Sequence, residues 1–189
     1  MTTNIILCGV GGQGLVLSTK LIADAILNAG YDLKTTDIIG LSQRGGKVWG
    51  TIRYGKQVFS PNIARGKGHF MLAMEPLEAL RWLDVMSHEN GHIFLNTREI
   101  YPTSVLLEKE QYPKDCYSRL KDKCELVALN AFEKGKEFGT EKLANTFLVG
   151  LLADRTDISK DCWINSINKN VPKKFLEANI KAFEYGFDT

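Results

Sequence analysis

The segment NIILCGVGGQGLVLSTKLIADAI, residues 4–26, decides how this chain begins to fold. Its first part, Ile5–Cys8, is a short continuous apolar run ended by glycine, which is typical of a buried parallel strand. A glycine cluster follows, and from Leu15 to Ala29 apolar residues recur at helical spacing. The segment therefore predicts a strand, a tight turn and a helix, with Gly30 ending the helix.

The turn has the glycine spacing of a dinucleotide-binding site. Gly9, Gly11 and Gly14 match G-x-G-x-x-G, and Gly12 adds a fourth glycine. Such a turn needs glycine where a positive φ or a close backbone approach excludes a Cβ, and the helix behind it points free N–H groups at an anion. Gln13 either donates to a phosphate or a carbonyl, or caps the helix and faces water. The spacing alone is compatible with a nucleotide site and with a packing turn.

The rest of the chain predicts an α/β fold. Tyr31–Ile38 is expected to be the second strand, and the alternating runs Val48–Tyr54 and Gln57–Ser60 a hairpin. Further strands are expected at Phe70–Met74, Ile93–Asn96 and Glu125–Leu129, and helices from Pro76 to about Met86, Thr140 to about Arg155, and Pro172 onward. We expect a Rossmann-like, doubly wound, mostly parallel sheet with a β-hairpin insertion and C-terminal helices, as a single domain over residues 1–189.

Composition excludes several classes of function. The 189 residues are 44% hydrophobic and 24% charged with a net charge of +2, which gives no electrostatic case for nucleic acid. No apolar run approaches the ~20 residues of a membrane helix and no signal-peptide pattern opens the chain, so we expect a soluble cytoplasmic protein. Neither the cysteines nor the histidines have metal-ligand spacing, and we expect no metal site at Cys8, Cys116, Cys124, Cys162, His69, His88 or His92.

An NAD-binding enzyme is the first functional alternative. That reading needs an acidic residue at the end of the second strand, roughly 20 residues past the turn, to hold the ribose hydroxyls. Asp37 lies near that position, although it could instead order the next loop. No set of residues for hydride transfer accompanies it.

A second loop, SQRGG, follows the same predicted strand. It consists of Ser42, Gln43, Arg44, Gly45 and Gly46. Because ligands collect beyond the carboxyl ends of the strands in open α/β sheets, this loop and the glycine turn should converge there. Arginine presents a fork of donors suited to a phosphate or a carboxylate. The alternative is an ordinary surface arginine in a loop.

Five segments, taken in order, resemble one family. They are GVGGQGLVLSTKLIADA (9–25), GLSQRGGKVWGTIRYG (40–55), VFSPNI (58–63), EPLEALRWL (75–83) and VPKKFLEANIKAFEYG (171–186). Together they resemble the gamma-type subunit or domain of the 2-oxoacid:ferredoxin oxidoreductases, over almost the whole chain. The EPLEAL segment and the C-terminal segment favour the indolepyruvate branch. The chain departs from the family in GKGHF, where Gly68 and His69 stand at the place of a small residue and an acid.

The resemblance implies a subunit of an enzyme that oxidatively decarboxylates 2-oxoacids to acyl-CoA and reduces ferredoxin. Thiamine diphosphate and iron–sulfur clusters would lie in a large partner subunit, since this chain has neither a G-D-G motif nor a cysteine cluster. The glycine turn and SQRGG are then candidates for CoA contact or for packing against the partner. A pyruvate-type subunit, a stand-alone NAD-binding protein and a purely structural module remain open, as does homodimerisation of the isolated chain.

Overall fold

The computed structural model describes residues 2–38, 46–101, 106–107 and 111–189. Its strands are β1 (Thr2–Val10), β2 (Asp32–Ile38), β3 (Lys47–Gly55), β4 (Phe70–Ala73), β5 (His92–Asn96) and β6 (Glu125–Leu129). Its α-helices are α1 (Leu15–Asn28), α2 (Pro76–Arg81), α3 (Cys116–Lys121), α4 (Ala131–Glu137), α5 (Ala144–Asp154), α6 (Lys160–Asn170) and α7 (Leu176–Phe187). In this part of the chain, no helix combines the length and the apolar character needed to cross a membrane.

The strands form one six-stranded sheet in the order β2-β3-β1-β4-β5-β6. β1, β4, β5 and β6 pair in parallel, whereas β3 runs antiparallel to both of its neighbours. The predicted α/β fold with a mostly parallel sheet is therefore confirmed. The antiparallel β3 is the exception, and it lies between the first two strands of the chain.

The predicted hairpin is wrong in its second strand. Val48–Tyr54 lies within β3, but residues 57–60 form no strand. β3 pairs with β1 from Thr2↔Gly55 to Val10↔Lys47 and with β2 along its other edge. Since both edges of β3 are already occupied, no edge is left for Gln57–Ser60 to pair with.

The position of β3 between β2 and β1 removes the geometry expected of an NAD site. In a dinucleotide-binding sheet the second strand lies beside the first, so that its terminal acid reaches the ribose bound at the turn. Here the backbone of Asp37 pairs with Gly50, which in turn pairs with Leu7 of β1. Two strand spacings separate β2 from β1, or roughly 10 Å. The sheet therefore gives no support to the stand-alone NAD alternative.

Alternating side chains of β1 build two cores, one on each face of the sheet. Ile5 and Leu7 belong to the larger core, which includes residues of α1, α5, α6 and α7. Ile6 and Cys8 belong to the smaller core, which includes residues of α2 and α3. Cys8 is packed there as a small buried apolar side chain, because its exposed fraction is 0%.

The helix boundaries follow the local signals only in part. Pro76 opens α2 as predicted, but the helix ends at Arg81 and a 3-10 turn, Leu83–Val85, replaces its last part. Thr140 caps a 3-10 turn that leads into α5. α3 was not predicted, since it is short and follows a proline-containing stretch that reads as a loop.

At the departure from the family pattern, His69 has a structural partner. The backbone N–H of Asn4 donates to Nδ1 of His69 at 3.0 Å. Burial lowers the pKa of His69, and the neighbouring Lys67 charge lowers it further. The imidazole thus joins the start of β1 to the chain entering β4 as a neutral acceptor.

Two glycines let α5 and α7 cross at close range. A Cβ at Gly150 would collide with the carbonyl oxygen of Phe183, and one at Gly186 would collide with that of Phe147. Each helix therefore presents its bare Cα to a backbone carbonyl of the other. In this region packing, and not helix propensity, selects glycine.

We predict that Gly150→Ala and Gly186→Ala each lower the free energy of unfolding by about 1–3 kcal/mol, because the helices must move apart. Helix propensity alone predicts the opposite, a gain of about 1 kcal/mol. Urea unfolding followed by circular dichroism measures the sign. A stabilised variant at either position would contradict the close crossing.

Candidate functional site

The glycine turn, residues 9–14, leaves β1 and enters α1 at the carboxyl edge of the sheet. Gly12 has φ 96° and Gly14 has φ 81°, both in the left-handed region that favours glycine. Gly9 needs glycine for a different reason, since a Cβ there would lie 2.9 Å from Cβ of Met74. The prediction that backbone demands fix the motif glycines is confirmed for Gly9 and Gly14, and Gly12 also needs glycine; for Gly11 it stays a prediction.

The Gln13 amide joins the ends of two strands. Its Oε1 accepts from the backbone N–H of Val10 at 2.6 Å, and its Nε2 donates to the carbonyl oxygen of Met74 at 2.8 Å. The carbonyl expected as one partner of Gln13 is therefore a backbone group of this chain. Contact of Gln13 with a ligand stays a prediction.

Asn96 continues the same network and was missed by sequence reasoning. It is fully buried at the end of β5, where its Nδ2 donates to the Met74 carbonyl at 3.0 Å. Its Oδ1 accepts from the backbone N–H of Ala131, at the start of α4, at 3.0 Å. One carbonyl thus receives two side-chain amides, which fix the ends of β1, β4 and β5 relative to each other. An amide closing an apolar strand was the signal available in the sequence.

The backbone brings the second loop to the turn. The N–H of Gly11 donates to the carbonyl oxygen of Gly46 at 2.9 Å. The last residue of SQRGG therefore lies against the glycine turn. Ser42, Gln43, Arg44 and Gly45 lie outside the described residues, and their roles stay predictions.

A cavity of about 440 Å³ opens beside the turn, on the face covered by α1 and α5. The first turn of α1 leaves backbone N–H groups without intrahelical acceptors at this place, which favours negative charge. Sequence reasoning identified only the turn and not the residues opposite it. The lining is Gly12, Gln13, Gly14, Leu17, Met74, Phe132, Glu141, Lys142, Ala144 and Asn145.

Asn145 joins the start of α5, on the opposite side of the cavity, to the glycine turn. It is buried at the start of α5, and its Nδ2 donates to the carbonyl oxygen of Gly14 at 3.2 Å. A Cβ on Gly14 would lie 2.6 Å from that nitrogen. Lys142, which is exposed, adds a cation to the same rim.

On the opposite face of the sheet, at the start of α2, lie two buried carboxyl groups, Glu75 and Glu78. Glu75 caps α2 by accepting from the N–H of Glu78 at 2.9 Å, and it accepts from the Tyr112 hydroxyl at 2.6 Å. Glu78 forms an ion pair with Arg81 at 3.2 Å. Both groups lie beside Cys8, whose pKa is raised by burial and by these two charges.

Burial dominates the ionisation of the pair. It raises the pKa of Glu78 to about 7, although the Arg81 and Lys47 charges act in the opposite direction. Burial also raises the pKa of Glu75, against the hydrogen bonds it accepts. Among the described residues no group of three or more His, Cys, Asp or Glu side chains could hold a metal ion.

The comparisons with known proteins agree with this fold. The pattern of the family described as pyruvate ferredoxin/flavodoxin oxidoreductase matches residues 4–189. A relative in Thermococcus kodakarensis, named indolepyruvate oxidoreductase subunit IorB, is 32% identical over 97% of this chain and 93% of its own.

Two solved structures share the fold. One is the gamma subunit of a keto/oxoacid ferredoxin oxidoreductase from Geobacter sulfurreducens, with a TM-score of 0.73 and 23% identity over 98% of this chain and 96% of that one. The other is a 2-oxoglutarate:ferredoxin oxidoreductase from Magnetococcus marinus with 2-oxoglutarate, coenzyme A and succinyl-CoA bound. Its TM-score is 0.75, with 16% identity over 98% of this chain and 30% of that longer chain.

The Glu78 carboxyl predicts a pH dependence of stability. Its pKa is about 7 in the folded chain and 4.5 in the unfolded chain, so the folded state holds the extra proton between these values. Stability from this group is complete below pH 4.5 and is lost as the pH rises through 7. We expect Glu78→Gln to remove this loss, which amounts to about 3 kcal/mol at most.

The measurement is urea unfolding of the unaltered chain and of Glu78→Gln from pH 5 to pH 8, since this range brackets the pKa of about 7. The difference in unfolding free energy should grow with pH in favour of Glu78→Gln. Parallel pH profiles for the two proteins would show that Glu78 ionises normally.

Proposed function

This chain belongs to the pyruvate ferredoxin/flavodoxin oxidoreductase family, and we propose that it is the smaller subunit of an indolepyruvate (arylpyruvate):ferredoxin oxidoreductase. The complex would convert a 2-oxoacid and CoA to acyl-CoA and carbon dioxide and pass the electrons to ferredoxin. The observation that carries this proposal is the similarity to a named indolepyruvate oxidoreductase subunit over nearly the full length of both chains.

The proposal divides the chemistry between two subunits. Thiamine diphosphate and the iron–sulfur clusters belong to the large partner subunit, and this chain binds neither. Ferredoxin is the acceptor of the complex and not a ligand of the isolated chain. The alternative within the family is a subunit specific for pyruvate or another 2-oxoacid.

The candidate site is proposed as one wall of a CoA-side cleft. Phosphate groups fit the edge formed by the glycine turn, because α1 presents N–H groups there and Lys142 supplies a cation. Among the described residues, no atom beyond the chain neighbours of Gly12 lies within 4 Å of where its Cβ would be, which leaves room there for a ligand. The hydrogen bond between Gly11 and Gly46 supports placing Arg44 near this edge.

Two further expectations form part of the proposal. A single domain over residues 1–189 is supported by the described part of the chain, in which the helices cover one six-stranded sheet. A cytoplasmic location is supported by four free cysteines, which are usual in a reducing compartment.

Reconstitution tests the proposal. The chain should assemble with a large subunit that carries thiamine diphosphate and iron–sulfur clusters, and only the assembled complex should oxidise indolepyruvate with CoA at the full rate. Comparing kcat/KM for indolepyruvate and pyruvate separates the two branches. Full CoA-dependent activity without this chain would overturn the proposal.

For the site, we predict that Arg44→Ala in the assembled complex raises the KM for CoA roughly 10- to 150-fold, the range for losing a charged hydrogen bond. Arg44→Lys is the matched control and should retain part of the affinity, since it keeps the charge and loses the fork. Steady-state kinetics gives the KM, and the dissociation constant of the subunits is measured on the same proteins. An unchanged KM with weaker assembly would assign Arg44 to subunit packing.

A further inference from the structure

The loop after β3, residues 56–63, is held firmly against the sheet. Side chains of β2 and β3 make four hydrogen bonds to its backbone. These are Val58 N–H to Asp32 Oδ2 at 2.7 Å, Thr51 Oγ1 to Pro61 O at 2.9 Å, and Arg53 Nη1 to Ser60 O at 3.0 Å and Asn62 O at 2.9 Å. The Val58 N–H, together with Lys34, lowers the pKa of Asp32 and keeps this acceptor charged. A loop with this many backbone bonds has a defined shape.

This braced loop presents a phenylalanine to solvent. Val58 points inward and is 4% exposed, whereas Phe59 is 84% exposed, the largest fraction among the exposed large apolar side chains that the structure describes. Aromatic side chains held in fixed positions are typical anchors of protein interfaces. Because the loop is already ordered, burying Phe59 in a partner costs little conformational entropy.

The chain on either side of Phe59 is basic. Residues 55–70 contain Lys56, Arg65 and Lys67 and no Asp or Glu, in a chain whose net charge is only +2. Asn4 donates to the Lys67 carbonyl and accepts from Arg53, which also donates to the Ser60 carbonyl, so the segment with Arg65 and Lys67 lies at the same edge of the sheet as Phe59. Lys56, Arg65 and Lys67 are exposed, and within the described part of the chain none forms an ion pair. The chemistry that complements this surface is an apolar pocket bordered by carboxylates.

The surface lies away from the glycine turn. β3 begins at Lys47, opposite Val10 at the carboxyl edge, and ends at Gly55, opposite Thr2. A nine-residue strand spans roughly 27–30 Å, and Phe59 follows its far end. A substitution at Phe59 therefore leaves the candidate CoA-side wall intact.

We propose that Phe59, with Lys56, Arg65 and Lys67, is the surface by which this chain docks onto the large subunit. This inference rests on the proposed function. The large subunit is the indicated occupant because the same fold forms only a part of a longer chain in the Magnetococcus marinus relative, so this fold works in contact with further protein. Phe59 fills an apolar pocket of the large subunit, and the lysines and arginine pair with carboxylates around it.

The test is the dissociation constant between purified full-length chain and large subunit. Phe59→Ser should weaken binding about 10-fold or more, the loss typical of an interface anchor, while Phe59→Leu keeps part of the affinity. Phe175→Ser, at a second exposed phenylalanine, is the control and should bind normally. Thermal unfolding should be unchanged in Phe59→Ser, because the Phe59 side chain is 84% exposed.

Charge is tested separately. Lys56→Glu with Arg65→Glu should slow association and weaken binding, with the largest effect at low salt. Lys173→Glu with Lys174→Glu, another exposed basic pair, should have no comparable effect.

The outcomes separate the two proposals. If the unaltered chain binds the large subunit and Phe59→Ser binds equally well, the docking surface is overturned and the proposed function stands. If Phe59→Ser abolishes only self-association of this chain, the surface joins two copies and the assignment to the large subunit is wrong. If the unaltered chain does not bind the large subunit, the proposed function fails and the inference fails with it.

Discussion

The antiparallel pairing of β3 with β1 is the constraint on which the rest of the structure depends. It runs along the whole of β1 and fixes Lys47 opposite Val10 at one edge and Gly55 opposite Thr2 at the other. At the first edge it brings Gly46 within a hydrogen bond of Gly11, so the two glycine-rich motifs meet. A one-residue slip would turn Ile52 out of the larger core, which fixes the register.

The glycine turn keeps its shape through side-chain amides as well as through glycine. Glycines make the backbone path sterically accessible, but they also leave the unfolded chain more freedom to lose. Gln13 and Asn96 offset this by converging on the Met74 carbonyl, and Asn145 holds Gly14 from the other side. The turn is therefore ordered before any ligand arrives, which lowers the entropic cost of binding.

Local signals in the sequence predicted single helices and strands better than they predicted which of these elements pack or pair with each other. The apolar run before Gly9, the helical spacing of α1 and Pro76 at the start of α2 each act within a few residues, and each prediction was confirmed. Gln57–Ser60 resembled a strand because Val58 and Phe59 have high β propensity, yet pairing is decided by which edges of β3 are free. The contact from Asn96 to Ala131 joins residues 35 apart, and no local pattern reports such a bond.

β3 also connects the two proposed surfaces, the CoA-side wall and the Phe59 loop. Its first residue adjoins the glycine turn, and the Phe59 loop is bonded to Thr51 and Arg53 in its second half. A sheet strand hydrogen-bonded on both edges transmits position with little deformation. Docking at the far end of β3 would therefore set where the glycine turn lies relative to the partner. Under the proposed function, the chain would contribute to catalysis by placing a preformed wall of the cleft.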